Sequence, residues 1–308
     1  MTQDALLTDA FEEHRRHLFG VAYRMLGSVA DAEDAVQEAW LRLRRHHDGG
    51  GERIESPGAW LTTAVSRIAL NVLRSRSTHR TDSLEERLEH LPEPVVQQEG
   101  AGDPGEDIAL ADGVGIALLV VLGTLTPAER VAFVLHDLFS VPFAQIAEIL
   151  DVAPDAARQH ASRARRRVRG QGRPVEADAD PARQREVVEA FFAAARDGDL
   201  PRLIGVLHPE VVVLQDTGTR LLRRAGAQEV AASATTYAHP DRRVLPVLVN
   251  GAAAAAIVQG GTLRSIMAFT VAEGRITEID AYMAPAGLAR WADALGIAAG
   301  PGGGPAAG

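Results

Sequence analysis

The chain has 308 residues, 46% apolar and 24% charged, with a formal net charge of −9, the composition of an ordinary soluble protein with room for two or three domains. It has no cysteine and no lysine, so all 32 positive side chains are arginine; this excludes disulfides, thiolate metal sites, thiol nucleophiles, lysine Schiff bases and P-loop phosphate binding. The acidic opening "MTQDALLTDAFEEH" lacks a signal-peptide pattern, and "VGIALLVVLGTL" is too short and glycine-broken to span a bilayer, which predicts a cytoplasmic protein with no membrane contact.

Residues 8–82 read as a helical domain interrupted by the loop "HHDGGGERIESPG". In "DAEDAVQEAWLRLRR", helical spacing places Ala32, Val36, Ala39, Trp40 and Leu43 on a buried face, with Asp31, Asp34, Glu38, Leu41 and Arg45 opposite. A single exposed leucine is ordinary, but Leu41 sits among carboxylates, a pattern that also fits a protein-docking surface. The next helix opens at "SPGAW", with Ser56 as N-cap and Pro57 as its first residue. Leu61, Ala64, Val65, Ile68 and Val72 form its apolar face, and Trp60, Arg67, Asn71 and Arg74 a second stripe. Tryptophan beside arginine and asparagine suits stacking and phosphate contact on opened single-stranded DNA; the alternative is that Trp60 only packs at the domain edge.

Residues 83–115 form an acidic, flexible linker. The segment "EHLPEPVVQQEGAGDPGEDIALAD" holds seven acidic residues, no arginine and repeated proline and glycine. A second helical domain, 116–171, contains "FAQIAEILDVAPDAARQHASRARRRV", of the form helix, short turn, helix. Pro154 suits the first turn of the second helix and Asp155 its positive end. Ala157, Ala161, Ala164 and Val168 fall on one side, to pack on the first helix. Arg158, Gln159, Ser162, Arg163, Arg166 and Arg169 fall on the other, opposed only by Asp155. Solvated helices balance their charges and this face does not. Arginine and glutamine match guanine and adenine edges in the major groove, so a DNA-reading helix-turn-helix is expected.

Residues 172–181 form a hinge. From 182 to 295, two helical segments precede β-branched runs such as "EVVVLQD", "RRVLPVLVN" and "LRSIMAFTV", which predicts an α+β domain with a curved antiparallel sheet. The tail 296–308 is expected to be disordered. "DGVGIA" imitates part of a dinucleotide fingerprint but opens a helix with no preceding strand. His14 and His17 share helical spacing but lack a further ligand. No cofactor and no metal are expected.

"YRMLGSVADAEDAVQEAWLRL", "SPGAWLTTAVSRIALNVLRSR" and the region from "LTPAERVAF" to "SRARRRV" resemble the two conserved domains of extracytoplasmic-function sigma factors. The resemblance implies that Asp31, Asp34, Gln37, Glu38 and Leu41 dock on the clamp of core RNA polymerase. It implies that Trp60, Arg67, Asn71 and Arg74 open the minus-ten promoter element, and that Arg158, Gln159, Ser162, Arg163 and Arg166 read the minus-thirty-five element. "VVEAFFAAARDGDLPRLIGVLHPEVVVLQDTGT" and "MAFTVAEGRITEIDAYMAPAGLARW" are similar to the cone-shaped SnoaL-like fold of the nuclear-transport-factor-two superfamily, a fusion that marks the SigJ-like subgroup. The subgroup's linker motif is present as His90, Leu91, Pro92, Glu93 and Pro94, with His90 in place of tryptophan. Its Asp-Gly-Gly-Gly-Lys segment is present as "DTGTR", keeping Asp216 and Gly218.

The expected fold is therefore two all-α domains, the second a helix-turn-helix, plus an α+β cone. The expected function is that of an alternative sigma factor modulated by an intramolecular contact between the cone's mouth near Asp216 and the linker at His90–Pro94, with no enzymatic activity. Two other readings remain: a SnoaL-like enzyme fused to a DNA-binding segment, with Asp216 or Asp280 in the cone, and a helix-turn-helix activator that never enters polymerase. An isolated buried aspartate is more often hydrogen-bonded structure than a catalyst.

Overall fold

A computed structural model describes residues 3–51, 54–77, 91–99, 115–170, 180–236, 239 and 241–299. His90 lies outside this set, as does the tail from residue 300. The chain forms two units, one from Met1–Arg87 and Val121–Gly172, the other from Leu88–Val120 and Arg173–Gly308.

The first unit is all-helical. Helix α1 (Gln3–Leu26) ends at Gly27, whose φ is +69°. Helix α2 (Val29–Asp48) starts at Ser28, whose side chain accepts the Asp31 amide at 3.3 Å. Helix α3 (Pro57–Ser77) opens with a bond from the Trp60 amide to the Ser56 carbonyl. Leu18, Val21, Met25, Ala39, Leu43 and Leu61 are among the side chains this bundle buries. Three expected core positions, Trp40, Ile68 and Val72, are only half-buried. Trp40 stacks against Phe11 at 4.8 Å, and on α3 Leu70 and Leu73 are buried instead. Helix α3 is packed on by α1, α2 and two later helices, so its apolar stripe is broader than one neighbour requires.

After α4 (Ile116–Gly123), helix α5 (Pro127–Phe133) begins with a capping box in which Thr126 and Glu129 each bond the other's backbone. A π-helical turn, Val134–Leu138, continues it. Helix α6 (Phe143–Leu150) ends at Asp151, held at φ +57°, a conformation aspartate tolerates better than bulkier residues. A three-residue turn leads into α7 (Pro154–Gly170). Ala157, Ala161 and Ala164 are fully buried and Val168 nearly so. Their small side chains let α7 lie close on α5 and α6.

The second unit is built on one sheet with strand order β1-β4-β5-β6-β7-β2-β3, to which β8 (Ala298–Ala299) adds beside β6. The strands are β1 (Val96–Gln98), β2 (Leu207–Asp216), β3 (Leu221–Ala225), β4 (Arg242–Val249), β5 (Ala252–Gln259), β6 (Thr262–Ala272) and β7 (Arg275–Tyr282). Helices α8 (Pro181–Asp197), α9 (Leu200–Val206) and α10 (Ala227–Thr236) contribute to its core, where Phe191, Phe192 and Phe269 pack edge to face within 6 Å. Helix α11 (Pro285–Leu295) contacts β6 and β1, and its Trp291 meets Tyr282 edge-on at 5.7 Å.

Three expectations change here, those for the sheet, the linker and the tail. The sheet is mixed, because β2 and β7 run parallel. The run "AAAAAIVQ" is strand β5, although alanine is the best helix former; strands on both sides and burial of six of its eight residues override that propensity. Finally, the linker is not flexible throughout. Residues 91–99 are folded onto this unit, with Val96, Gln97 and Gln98 paired antiparallel to Val249, Leu248 and Val247. The chain also remains placed through Ala299, inside the stretch expected to be disordered.

Candidate functional site

On α7 the side chains of Arg158, Gln159, Ser162 and Arg166 are exposed on the outward face, as the periodicity predicts. Arg158 ion-pairs with Asp155, and its guanidinium lies 5.8 Å from the centroid of the Phe143 ring. Arg163 departs from the expected pattern. It is half-buried, its Nε donates to Glu129 Oε1 at 3.2 Å, and its Nη2 faces His160 Nδ1 at 2.7 Å. Arg167 donates to the other oxygen of Glu129 at 2.6 Å, and Arg165 to Asp137 at 2.5 Å. The reason is Glu129 itself, a nearly buried carboxylate that requires compensating charge. Burial pushes its carboxyl up, but hydrogen bonds from Thr126 with Arg167 and Arg163 outweigh this and hold it below its ordinary value. His160 is held below its ordinary value by burial and by Arg163, against the opposing pull of Glu129.

On α3, Asn71 and Arg74 are exposed, while Trp60 is half-buried beside His46, ring centroids 5.9 Å apart. This stripe meets the first helix of the helix-turn-helix. Gln145 Nε2 donates to the Ala59 carbonyl at 3.2 Å and to Thr63 Oγ1 at 2.9 Å, and Arg67 Nη2 donates to the Glu148 carbonyl at 3.0 Å. Further along, Arg130 donates to the Met25 carbonyl at 2.9 Å, and Phe139 takes Arg24 over its ring and His17 at its edge. The sequence gives no local sign of these contacts, since each joins residues about 80 or more positions apart.

On α2, Asp34, Gln37 and Leu41 are exposed, Leu41 to 42%. The acidic surface around them is partly neutralised. Asp31 ion-pairs with Arg76 at 2.6 Å, and Glu38 with Arg42 at 2.9 Å and Arg45 at 3.0 Å. The hydrogen bond from Arg42 leads the causes that hold the Glu38 carboxyl low.

In the second unit, the linker residues and Asp216 lie together. The Leu91 amide donates to Asp216 Oδ2 at 2.9 Å, and the other carboxylate oxygen accepts the Gly218 amide at 2.8 Å. Gly218 has φ +81°, and a Cβ there would sit 3.1 Å from the Cβ of Ala284, so both conformation and space favour glycine. Glu93 ion-pairs with Arg290 of α11, and Glu99 with Arg185 of α8. The Val95 amide donates to Asn250 Oδ1 at 2.9 Å, while the Asn250 amide donates to the Val95 carbonyl at 2.9 Å. Leu91 and Pro94 are buried, and Pro92 is half-buried. Sequence reasoning missed Asn250 and Arg185, which lie outside the segments that carry the resemblance, and Arg290, which lies inside one without being singled out.

Asp216 does not face the interior of the cone. Val213 and Gln215 of β2, with Ile279 and Ala281 of β7, line that cavity, and strand alternation turns Asp216 and Asp280 to the opposite face of the sheet. The linker is therefore bonded to the face of β2 opposite the cavity.

Family models for Sigma-70 region 2 and Sigma-70 region 4 match residues 10–79 and 116–168. The ECF RNA polymerase sigma factor SigJ of Mycobacterium tuberculosis is 48% identical over 207 residues, a match that covers 67% of this chain but only 64% of that relative. The probable ECF RNA polymerase sigma factor SigI of the same species is 34% identical over 289 residues, 94% of this chain and 97% of the relative. The crystal structure of M. tuberculosis SigJ matches with a TM-score of 0.69 at 37% identity, covering 91% of this chain and 97% of that one. With both sigma domains present in order and a relative matched over nearly its whole length, the chain belongs to the extracytoplasmic-function family of RNA polymerase sigma factors.

Proposed function

We propose that the chain, as a sigma factor directing promoter-specific transcription initiation, divides the work among three surfaces and has them governed by its own C-terminal domain. Asp34, Gln37 and Leu41 dock on the clamp of core polymerase, with Asp31 and Glu38 at the rim of that patch. Trp60, Arg67, Asn71 and Arg74 engage the opened minus-ten element. Arg158, Gln159, Ser162 and Arg166 read the minus-thirty-five element in the major groove, and Arg163 positions their helix through Glu129. The C-terminal SnoaL-like domain is regulatory: it grips the linker and sets how much chain is free between the two DNA-reading domains.

The anchoring of residues 91–99 by Asp216, Arg290, Asn250 and β4 carries this reading. The catalytic alternative through Asp216 or Asp280 gains no support from the cavity, whose lining among the described residues holds His239 but no acidic side chain. Transcription reconstituted with core polymerase tests the proposal. Asp216→Ala is expected to change output from a cognate promoter while leaving core binding intact. Unchanged output would remove the regulatory role of the linker, and turnover of a small molecule that depends on Asp216 would restore the enzymatic reading.

A further inference from the structure

The cavity of the cone encloses about 200 Å³ between the concave face of the sheet and helices α8 and α10. Its walls include Phe191, Phe192, Val230, Ile257, Met267 and Ile279, all apolar. Beside Gln215, Ser233, Ser265 and His239, its polar lining is dominated by arginine. Arg196, Arg224, Arg242 and Arg264 all contribute, from α8, β3, β4 and β6, and no carboxylate joins them among the described residues. Arg224 spends one hydrogen bond on Ser233 at 3.2 Å, a neutral partner. Arg196 and Arg264 are exposed and form no ion pair among the described residues. Four guanidinium groups converging on an apolar chamber in a chain of net charge −9 make a local positive field that favours an anion and disfavours a cation.

The two halves of this lining ask for the two halves of one molecule. Apolar walls stabilise a hydrocarbon in proportion to the surface it removes from water. Arginine binds carboxylates in a paired, planar geometry and remains charged throughout the physiological range. A volume of about 200 Å³ has room for a medium-chain or small-ring acid. We propose that this cavity is a binding site for a small carboxylic acid with an apolar body, hydrocarbon inward and carboxylate among the arginines. This inference is independent of the linker's role, because the cavity and Asp216 lie on opposite faces of β2.

Calorimetric titration of the full-length protein with sodium octanoate tests it, with octanamide and octylamine as neutral and cationic matches of the same length. One-to-one binding of octanoate is expected, at least tenfold tighter than octanamide, with none of octylamine. Arg196→Gln combined with Arg264→Gln should weaken octanoate at least tenfold and bring it level with octanamide. Both positions are exposed, so the thermal transition should not move. Val244→Trp, at an exposed position in the lining, should block octanoate without disturbing the core. Equal binding of acid and amide, retention of full affinity in the arginine variant, or absence of binding by acids of six to ten carbons would each overturn the proposal.

Discussion

Leu91 and Asp216 stand 125 positions apart in the sequence, and the amide of one donates to the carboxylate of the other at 2.9 Å. The same carboxylate holds the Gly218 amide, so a single buried side chain ties the linker to the β2–β3 hairpin. Removing it leaves two amides without their acceptor, at a cost of about 1–3 kcal/mol for a buried unsatisfied group. Asp216→Ala is expected to raise hydrogen exchange at the Leu91 and Val95 amides while β5 and β6 keep their protection. Asn250→Ala should act on the same segment. The two should be non-additive in a double-mutant cycle, since each opens what the other holds.

The outward face of α7 predicts separable effects on DNA. Arg158→Ala or Arg166→Ala should cost about 1–3 kcal/mol of promoter discrimination if the guanidinium contacts a base pair of arginine-matching acceptors. Contact with phosphate alone would instead weaken all sequences alike and shrink the salt slope. Holoenzyme binding to cognate and scrambled promoters at two salt concentrations separates the outcomes.

Glu129 predicts a pH signature in stability. Its folded carboxyl lies below its ordinary value of 4.5, so the ionised form stabilises the fold above that pH and the contribution is lost as pH falls through the folded value. Glu129→Gln should lower stability by about 2 kcal/mol at neutral pH, the scale of hydrogen bonds to a charged group. The gap from the unaltered protein should narrow steadily below pH 4.5. Chemical denaturation across that range measures it, and a gap independent of pH would contradict the assignment.

The bonds from Gln145 and Arg67 join the α3 stripe to α6, so the proposed contact of Arg67 with DNA requires those groups to part. The chain has no cysteine, so Thr63→Cys with Gln145→Cys allows a single chosen bridge by a short bis-maleimide, which adds to both thiols. The bridged protein is expected to lose promoter opening, and the unbridged pair to retain it. Full opening by the bridged form would show that this packing is compatible with DNA.

Leu41 is exposed and makes no part of the α2 core. Leu41→Arg should therefore reduce core polymerase binding at least tenfold while stability stays within about 0.5 kcal/mol, as for surface substitutions. Affinity measured beside a thermal melt gives both numbers.

Helical periodicity alone placed Ala157, Ala161, Ala164 and Val168 inside and Arg158, Gln159, Ser162 and Arg166 outside, because rotation per residue is a local property of the backbone. The capping box at Thr126 and Glu129 is just as local, its partners being three residues apart, although the sequence reading did not single it out. What α7 does with Arg163 was not, since that depends on a carboxylate 34 positions away. The linker shows the same division more sharply. Its proline, glycine and acidic composition predicts a mobile segment, and nothing within it reveals that Val96–Gln98 would find the open edge of β4 or that Asn250 would fix its register. The direction of Asp216 was likewise settled by pairing: alternation says only that neighbours on a strand face opposite ways. Which way is inward was decided by the helices that cover Val213 and Gln215, contacts that exist only once the sheet has assembled.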